Sequence, residues 1–422
     1  MGATLTNKRL YLQVNLIILS MKHTFIEEIE LGSKNALVKK NIIRYYINNG
    51  DNSLAELGKE MDLSIPTVTK MVSELIEEGF VVDFGKQETN GGRRPNIYGV
   101  NPDSGYFVGV DIKHFRINIA LINFKGEMIE SKLSIPFSYE NTQDSFEKLC
   151  VIINDFIDHL SVPKPKILST GINMSGRINA ETGHSYSLYF FSERPLTEIF
   201  QERIGMHVTI DNDSRSMAYG EFMNGVVNAE KNILFVNVSW GLGLGIIIDG
   251  RLYYGKSGFS GEFGHLSVFD NEIICHCGKK GCLETQASGS FIHRRFLEKI
   301  AEGNTSILQK RILKGHTITQ EDIIDSALKE DMLAIELIEE VGNNLGKQIA
   351  GLINLFNPEL VIIGGVVALT GDYLLLPIKS AVKKYSLNLV SKDTSIKLSK
   401  LGDKAGVIGA CMLARSKMLG MI

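Results

Sequence analysis

Three of the chain's five cysteines fall in the run Cys275-His276-Cys277-Gly278-Lys279-Lys280-Gly281-Cys282, and His265 lies a short way upstream. Thiolates and an imidazole at short, turn-compatible spacing describe a closed tetrahedral zinc site. Gly278 and Gly281 suit it, because glycine lets the backbone turn tightly between ligands. The expected ligands are His265, Cys275, Cys277 and Cys282. Four protein ligands leave no open position, so the expected zinc is structural rather than catalytic. His276 is the spare, since neighbours on an extended segment point to opposite sides. The plainer alternative is a reduced loop that holds several thiols. Cys150 and Cys411 stand apart, which leaves no disulfide framework and suits a reducing cytoplasm.

A second set of candidate contacts is small, polar and basic. Pro66, Lys70 and Ser73 lie opposite the apolar face of one predicted helix, flanked by Thr67 and Thr69 and preceded by its cap, Ser64. Arg93 and Arg94 follow Asn90-Gly91-Gly92 in a loop. Small polar residues with one lysine suit a helix inserted in the major groove of double-stranded DNA. A basic, glycine-rich loop can reach phosphates or a narrow minor groove.

These residues require a winged helix-turn-helix to position them. A first helix over about 35–48 stops at Asn49-Gly50. Ser53-Leu54-Ala55-Glu56 has the form of a capping box opening a second helix through Met61. Ser64 caps the third, with Pro66 tolerated in its first turn. Val68, Val72 and Leu75, with Met71 beside them, make its buried face. Strands over 80–84 and 96–100 form the wing. Acidic residues roughly balance basic ones here, so a protein-docking head is the alternative.

A chain of 422 residues suggests two or three domains, and 44% hydrophobic with 22% charged residues is a soluble, globular composition. The net charge of −3 excludes a globally basic nucleic-acid binder, so DNA contact must rest on a local patch. Lys8 and Arg9 precede an apolar run over 11–20 that faintly resembles a signal peptide. Gln13 and Asn15 interrupt it, no cleavage site follows, and it is too short to span a bilayer. Met21 is a second candidate start. The expected division is a tail or extension over 1–32, the head over 33–100 and a body over 101–422. The body alternates strands (106–111, 116–122, 167–172) with a helix over about 142–160. A second alternating half begins near Lys231 with a strand over 233–238. Two such halves imply an α/β protein with a ligand cleft between lobes.

Glu262-x-Gly264-His265, followed by Cys275-x-Cys277-Gly278-x-x-Gly281-Cys282-x-Glu284, resembles the ROK family of repressors, open reading frames and sugar kinases. The similarity extends from about Ser33 to the end and includes the family's xylose- or N-acetylglucosamine-responsive repressors. It implies the two-lobed, actin-like, ribonuclease-H-like fold, with the C-terminal helix returning to the first lobe. It also implies a sugar held by Asn212, Asp213, Glu262, His265 and Glu284, with Asp213 at the position of the kinases' catalytic base. His265 would then serve zinc through one ring nitrogen and sugar through the other. By themselves, Asn212 and Asp213 read as the cap of a helix over 215–223.

The chain departs from the kinase pattern at both phosphate turns. In Asp111-Ile112-Lys113-His114-Phe115, Lys113 replaces a glycine and Phe115 a hydroxyl residue. Ser239-Trp240 precede Gly241-Leu242-Gly243-Leu244-Gly245 where Gly-Thr is expected. A side chain in place of glycine blocks close phosphate approach, although Lys113 could still attract phosphate by charge. Trp240 has packing between lobes as its plainer reading, and Gly364-Gly365 after strand 360–363 preserves a turn that lies beside adenosine in the family's kinases, with the ending of a buried strand as its structural role. Ser175 replaces an expected proline, and 185–191 lacks the family's asparagine. The usual glucose-type specificity is therefore not expected, and the aromatic residues of 185–191 are candidates to accept a different or larger sugar.

The resulting expectation is a sugar-responsive transcriptional regulator, a repressor of carbohydrate uptake or catabolism genes rather than an enzyme. The alternative is an active ATP-dependent sugar kinase with a fused DNA-binding head. Expected partners are operator DNA and a small sugar or sugar derivative, with no membrane. A homodimer is expected, a homotetramer being the further option, and the helical stretch 331–355 is either an interface or core.

Overall fold

Residues 33–86 and 95–422 are described by the computed structural model. The head comprises α1 (Lys34–Asn49), β1 (Asn52–Ser53), α2 (Leu54–Glu60), α3 (Ile65–Glu77), β2 (Val81–Lys86) and β3 (Asn96–Val100). β1 joins the wing hairpin, giving the order β1-β3-β2. α3 buries Val68, Met71, Val72 and Leu75, and Ser64 Oγ accepts the Thr67 N–H at its start. The box at α2 closes on one side only. Ser53 Oγ accepts the Glu56 N–H, but the Ser53 N–H goes to Asn52 Oδ1, so the Glu56 carboxylate takes the Ser53 hydroxyl instead.

The body is built from two sheets of one topology. The first contains β4 (Tyr106–Ile112), β5 (Arg116–Asn123), β6 (Met128–Pro136), β7 (Ile167–Met174) and, beyond the short hairpin β8 (Ile178–Asn179)–β9 (His184–Ser185), β10 (Val208–Asn212). The second contains β11 (Ile233–Val238), β12 (Leu242–Ile248), β13 (Arg251–Leu252), β14 (Leu360–Gly364) and β15 (Ser395–Leu398). Their orders are β6-β5-β4-β7-β10 and β13-β12-β11-β14-β15. In each, an antiparallel meander is followed by two parallel strands on the other side of the first strand. β6 is absent from the sequence reading, because its half-exposed, charged edge lacks an apolar run.

Helices α4 (Gln143–Asp158) and α5 (Leu196–Ile204) cover one face of the first sheet, and α6 (Asp213–Asn224) leads into the second lobe. There, α7 (Gly289–Ala301), α8 (Gln320–Ala327), α9 (Met332–Phe356) and α10 (Asp372–Tyr385) share one apolar cluster with the second sheet. The stretch 331–355 is mainly core within the chain itself. On α9, Gly342 lies against Pro377 and Gly346 against Ile378 and Ala381 of α10.

The C-terminal helix α11 (Ala405–Met418) crosses the first sheet at very short range. A Cβ on Gly109 would lie 2.4 Å from Val407 O, and one on Gly171 2.2 Å from Ala410 O. Its other side meets α6, where Tyr219 Oη bonds Ser416 Oγ at 2.8 Å. Through α6 and α11 the lobes share a spine. The head joins it too: the Phe80 ring lies 5.6 Å from Phe124 in the β5–β6 turn, and one apolar cluster runs from Ala36 to Leu419.

Candidate functional site

The loop between β13 and α7 brings the four predicted ligands together. One ligand atom from each of His265, Cys275, Cys277 and Cys282 lies within 4.8 Å of the others. His265 Nδ1 is 3.5 Å from Cys275 Sγ, and Cys277 Sγ is 3.6 Å from Cys282 Sγ. A tetrahedral ion with metal–sulfur bonds of about 2.3 Å and metal–nitrogen bonds of about 2.0 Å requires edges of roughly 3.5–3.8 Å. The donors therefore fit a structural metal. Gly278 (φ 83°) and Gly281 (φ 75°) make the turns, and a Cβ on Gly281 would lie 2.3 Å from Phe269 O. His276 falls outside this set, with its Nδ1 2.8 Å from Glu284 Oε1. Together with Cys275 these two residues form a second, alternative donor group.

Facing the donor set, Asn212, Asp213, Glu262, His265 and Glu284 line one small cavity with Ser175 and Ser260. With Nδ1 toward the thiols, His265 places Nε2 3.7 Å from Glu262 Oε2. Asn212 is also the cap of α6: its Oδ1 accepts the N–H groups of Ser214 and Arg215, and its Nδ2 donates to Gly176 O. The cap and the cavity position coexist, with one amide hydrogen of Asn212 left for a ligand. Burial pushes the Asp213 carboxyl above its ordinary range, against the N–H and hydroxyl donors of Ser214 and the Ser175 hydroxyl. Burial acts the same way on Glu284, but His276 and the Leu242 N–H, 2.9 Å from Oε2, hold it below the usual carboxylate range.

A larger cavity of about 480 Å³ adjoins the first and shares Ser175, Asp213, Asn237, Ser239 and Glu284 with it. Here the β4–β5 and β11–β12 turns face each other across the lobes. The His114 and Trp240 rings stack with centroids 4.8 Å apart and planes 9° apart, and Phe115 meets Trp240 edge-on at 5.5 Å. Lys113 Nζ is spent on Asp403, 2.5 Å from Oδ1 and 3.2 Å from the carbonyl oxygen. Arg116 joins the same carboxylate at 2.9 Å, and lies 3.5 Å from Glu321 of the other lobe. Burial pushes the Asp111 carboxyl up to about 6, although Lys113 stands 3.6 Å away.

The surviving glycines have packing roles. A Cβ on Gly243 would lie 2.1 Å from Ser214 Oγ, and one on Gly245 2.4 Å from Ala218 Cβ, both on α6. Gly365 (φ 88°) ends β14 with its Cβ position 2.5 Å from Val238 O.

The aromatic residues of 185–191 do not line either cavity. Tyr189 and Phe191 pack their rings on Phe146 of α4, and Tyr186 packs on Phe259. The aromatic wall of the cleft is formed instead by His114, Phe115, Tyr139 and Trp240. His114 was visible in the altered first turn, whereas Tyr139 and Asp403 reach the cleft from distant segments and carry no local signal.

On the head, Ser64, Pro66, Thr67, Thr69, Lys70 and Ser73 are all exposed on or next to α3. Ile65, missed in the sequence reading, is 49% exposed beside them and could meet a base methyl group. Lys70 is free enough to reach a phosphate, with Glu74 no nearer than 4.0 Å. Arg93 and Arg94 lie outside the described residues. Among the described residues no helix is long and apolar enough to cross a membrane.

A winged reading head set on a two-lobed, kinase-shaped body defines a class of regulator, and the chain belongs to the ROK family. That family matches residues 107–417, and a winged helix-turn-helix DNA-binding family matches residues 37–82. The chain is 33% identical to the xylose repressor of Caldicellulosiruptor bescii, over 94% of this chain and 98% of that protein. It is also 33% identical to a glucokinase of Halalkalibacterium halodurans, over 74% of this chain and 96% of that protein. The crystal structure of a ROK family transcriptional regulator, a homolog of the E. coli MLC protein, superposes with a TM-score of 0.75. Its identity is 28%, and the match covers 90% of this chain and 95% of that one.

Proposed function

We propose that this protein is a sugar-responsive transcriptional repressor in which the kinase-like body has become a sensor. The observation that carries this reading is the contrast within the cleft. The small cavity with Asn212, Asp213, Glu262, His265 and Glu284 is open, while the phosphate turns are occupied by the His114–Trp240 stack and the Lys113–Asp403 pair. Phosphoryl transfer depends on positioned phosphates, so Asp213 without them is a ligand-binding carboxylate rather than a catalytic base.

The metal is zinc, chosen by three thiolates and one imidazole. When bound it neutralises the thiolates and fixes the His265 ring, leaving Nε2 beside Glu262 to meet a sugar hydroxyl. The hydroxyls bridge the lobes, because Asp213 begins α6 while Glu262, His265 and Glu284 belong to the second lobe. Closure shifts α6 against α11, and α11 shares its apolar cluster with Phe124 and the head. Sugar then changes DNA occupancy only through its different affinity for the two lobe arrangements. Operator contact uses Ser64, Pro66, Thr67, Thr69, Lys70 and Ser73, with Arg93 and Arg94 on phosphates or the minor groove. Two heads on a cytoplasmic homodimer read a palindromic site.

Binding of the purified protein to DNA upstream of its own gene tests this reading. Salt-sensitive binding that a sugar relieves is expected, and its absence overturns the repressor assignment. Lys70→Ala is expected to weaken binding on all sequences and to lower the salt slope by about one. An active sugar kinase is the second reading, favoured by Asp213 and the glucokinase likeness. Sugar-dependent ADP release abolished by Asp213→Asn would establish it.

A further inference from the structure

The larger cavity is the part of the cleft that a repressor acting through one small sugar leaves unused. It is continuous with the small cavity through Ser175, Asp213 and Glu284. Its volume of about 480 Å³ falls in the range of roughly 300–1,000 Å³ common for small-molecule sites. Three of the residues that line it carry a buried side-chain atom without a hydrogen-bond partner: Gln320 Nε2, on a residue 3% exposed, Asp111 Oδ2, on a residue 1% exposed and 3.6 Å from Lys113 Nζ, and Arg116 Nε. An unsatisfied buried donor or acceptor costs about 1–3 kcal/mol, and such groups are rare unless something answers them.

The charge around the cavity opposes a phosphate. Asp111, Asp213, Glu284 and Glu321 face Lys113, Arg116 and Arg294, and two of these three cations are already tied to Asp403. What remains is two donors, on Gln320 and Arg116, an acceptor on Asp111 and an aromatic wall. A hydroxyl both donates and accepts, so it can satisfy Asp111 and Gln320. The C–H face of a pyranose can lie on aromatic rings, which attract it through their electron-rich faces.

We propose that the space a kinase gives to its nucleotide is here a second carbohydrate subsite, and that the effector is a neutral oligosaccharide. One ring enters the small cavity. The next lies against the Trp240–His114–Phe115–Tyr139 wall, with hydroxyls on Asp111 and Gln320. This rests on the sugar-sensing reading above and sets the size of the ligand that reading requires.

Trp240 is the one tryptophan of the full chain, so its fluorescence reports directly on the second subsite. The full-length protein is titrated with D-xylose, D-glucose and N-acetyl-D-glucosamine, then with xylobiose, cellobiose, maltose and N,N′-diacetylchitobiose, by fluorescence and calorimetry. One disaccharide is expected to bind at least about tenfold tighter than its own monosaccharide and to move the Trp240 emission. Trp240→Ala and Gln320→Ala should each bring that ratio near unity while leaving the monosaccharide affinity within about twofold. Disaccharides binding no tighter than monosaccharides would overturn the second subsite alone, as would variants that weaken both equally. Binding of MgATP at the expense of disaccharide would also overturn it. No saccharide of either size binding would overturn the sensing reading with it.

Discussion

The two lobes repeat one strand order and differ most at the hairpin turn each presents to the cleft. The first-lobe turn is closed electrostatically, with Lys113 and Arg116 drawn onto Asp403 beside the buried Asp111. The second-lobe turn is closed sterically, by an indole stacked across the cleft on His114. Two of its glycines, Gly243 and Gly245, lie too close to α6 for a side chain, and a Cβ on Gly241 would lie 2.7 Å from Glu284 Oε2. Equivalent turns are thus closed by unrelated means. A glycine series that resembles a phosphate loop can persist for packing alone.

The contrast between the lobes implies unequal responses to mutation. The largest effect is expected in the second lobe, where Cys282→Ala removes a fully buried ligand of the metal group. Metal analysis should show loss of one bound ion per chain, and calorimetry a loss of about 3–5 kcal/mol or more. Sugar affinity should fall with it, because His265 loses its fixed orientation. Full sugar affinity in that variant would sever the metal from the cavity.

Opposite in sign is Asp111→Asn in the first-lobe turn. The folded carboxyl is pushed up to about 6 by burial. Its unfolded value is about 3.9, so ionisation above pH 6 costs the fold up to about 3 kcal/mol. The neutral form is the one the fold favours: its stabilisation is full below about pH 4 and is lost as pH rises through about 6. The variant should therefore melt higher than wild type at pH 7.5 and converge with it below pH 4, as thermal unfolding across pH will show. A gain independent of pH would mean that the lost carboxylate was not the cause.

The smallest effect belongs to the bridge between the turns. His114→Ala removes one ring of the stack and should cost about 0.5–1.5 kcal/mol in thermal unfolding. It should leave the metal content unchanged. A loss comparable with that of Cys282→Ala would mean that the turns, rather than the shared α6–α11 spine, hold the lobes together.

Much of this was legible from the chain. The Cys–His group, the α3 cap and face, and both altered turns could be read, each from residues close in sequence. Reading failed where partners were distant or a residue had two uses. Nothing near Phe190 indicated that its neighbours Tyr189 and Phe191 pack on Phe146 of α4 rather than line the cleft. Asn212 read as either a helix cap or a cavity residue, and it is both. β6 carried too little apolar alternation to be recognised.

The sequence by itself determined the metal donor set and the reading helix, because ligand spacing and capping are enforced by short stretches of chain. Only the tertiary structure decided what the cleft can bind. Lys113 meets Asp403 across 290 positions, His114 meets Trp240 across the lobes, and Gln320 Nε2 is left without a partner only once α8 is packed. Those outcomes depend on which surfaces are brought together and which polar groups lose water, and no local run of residues encodes either.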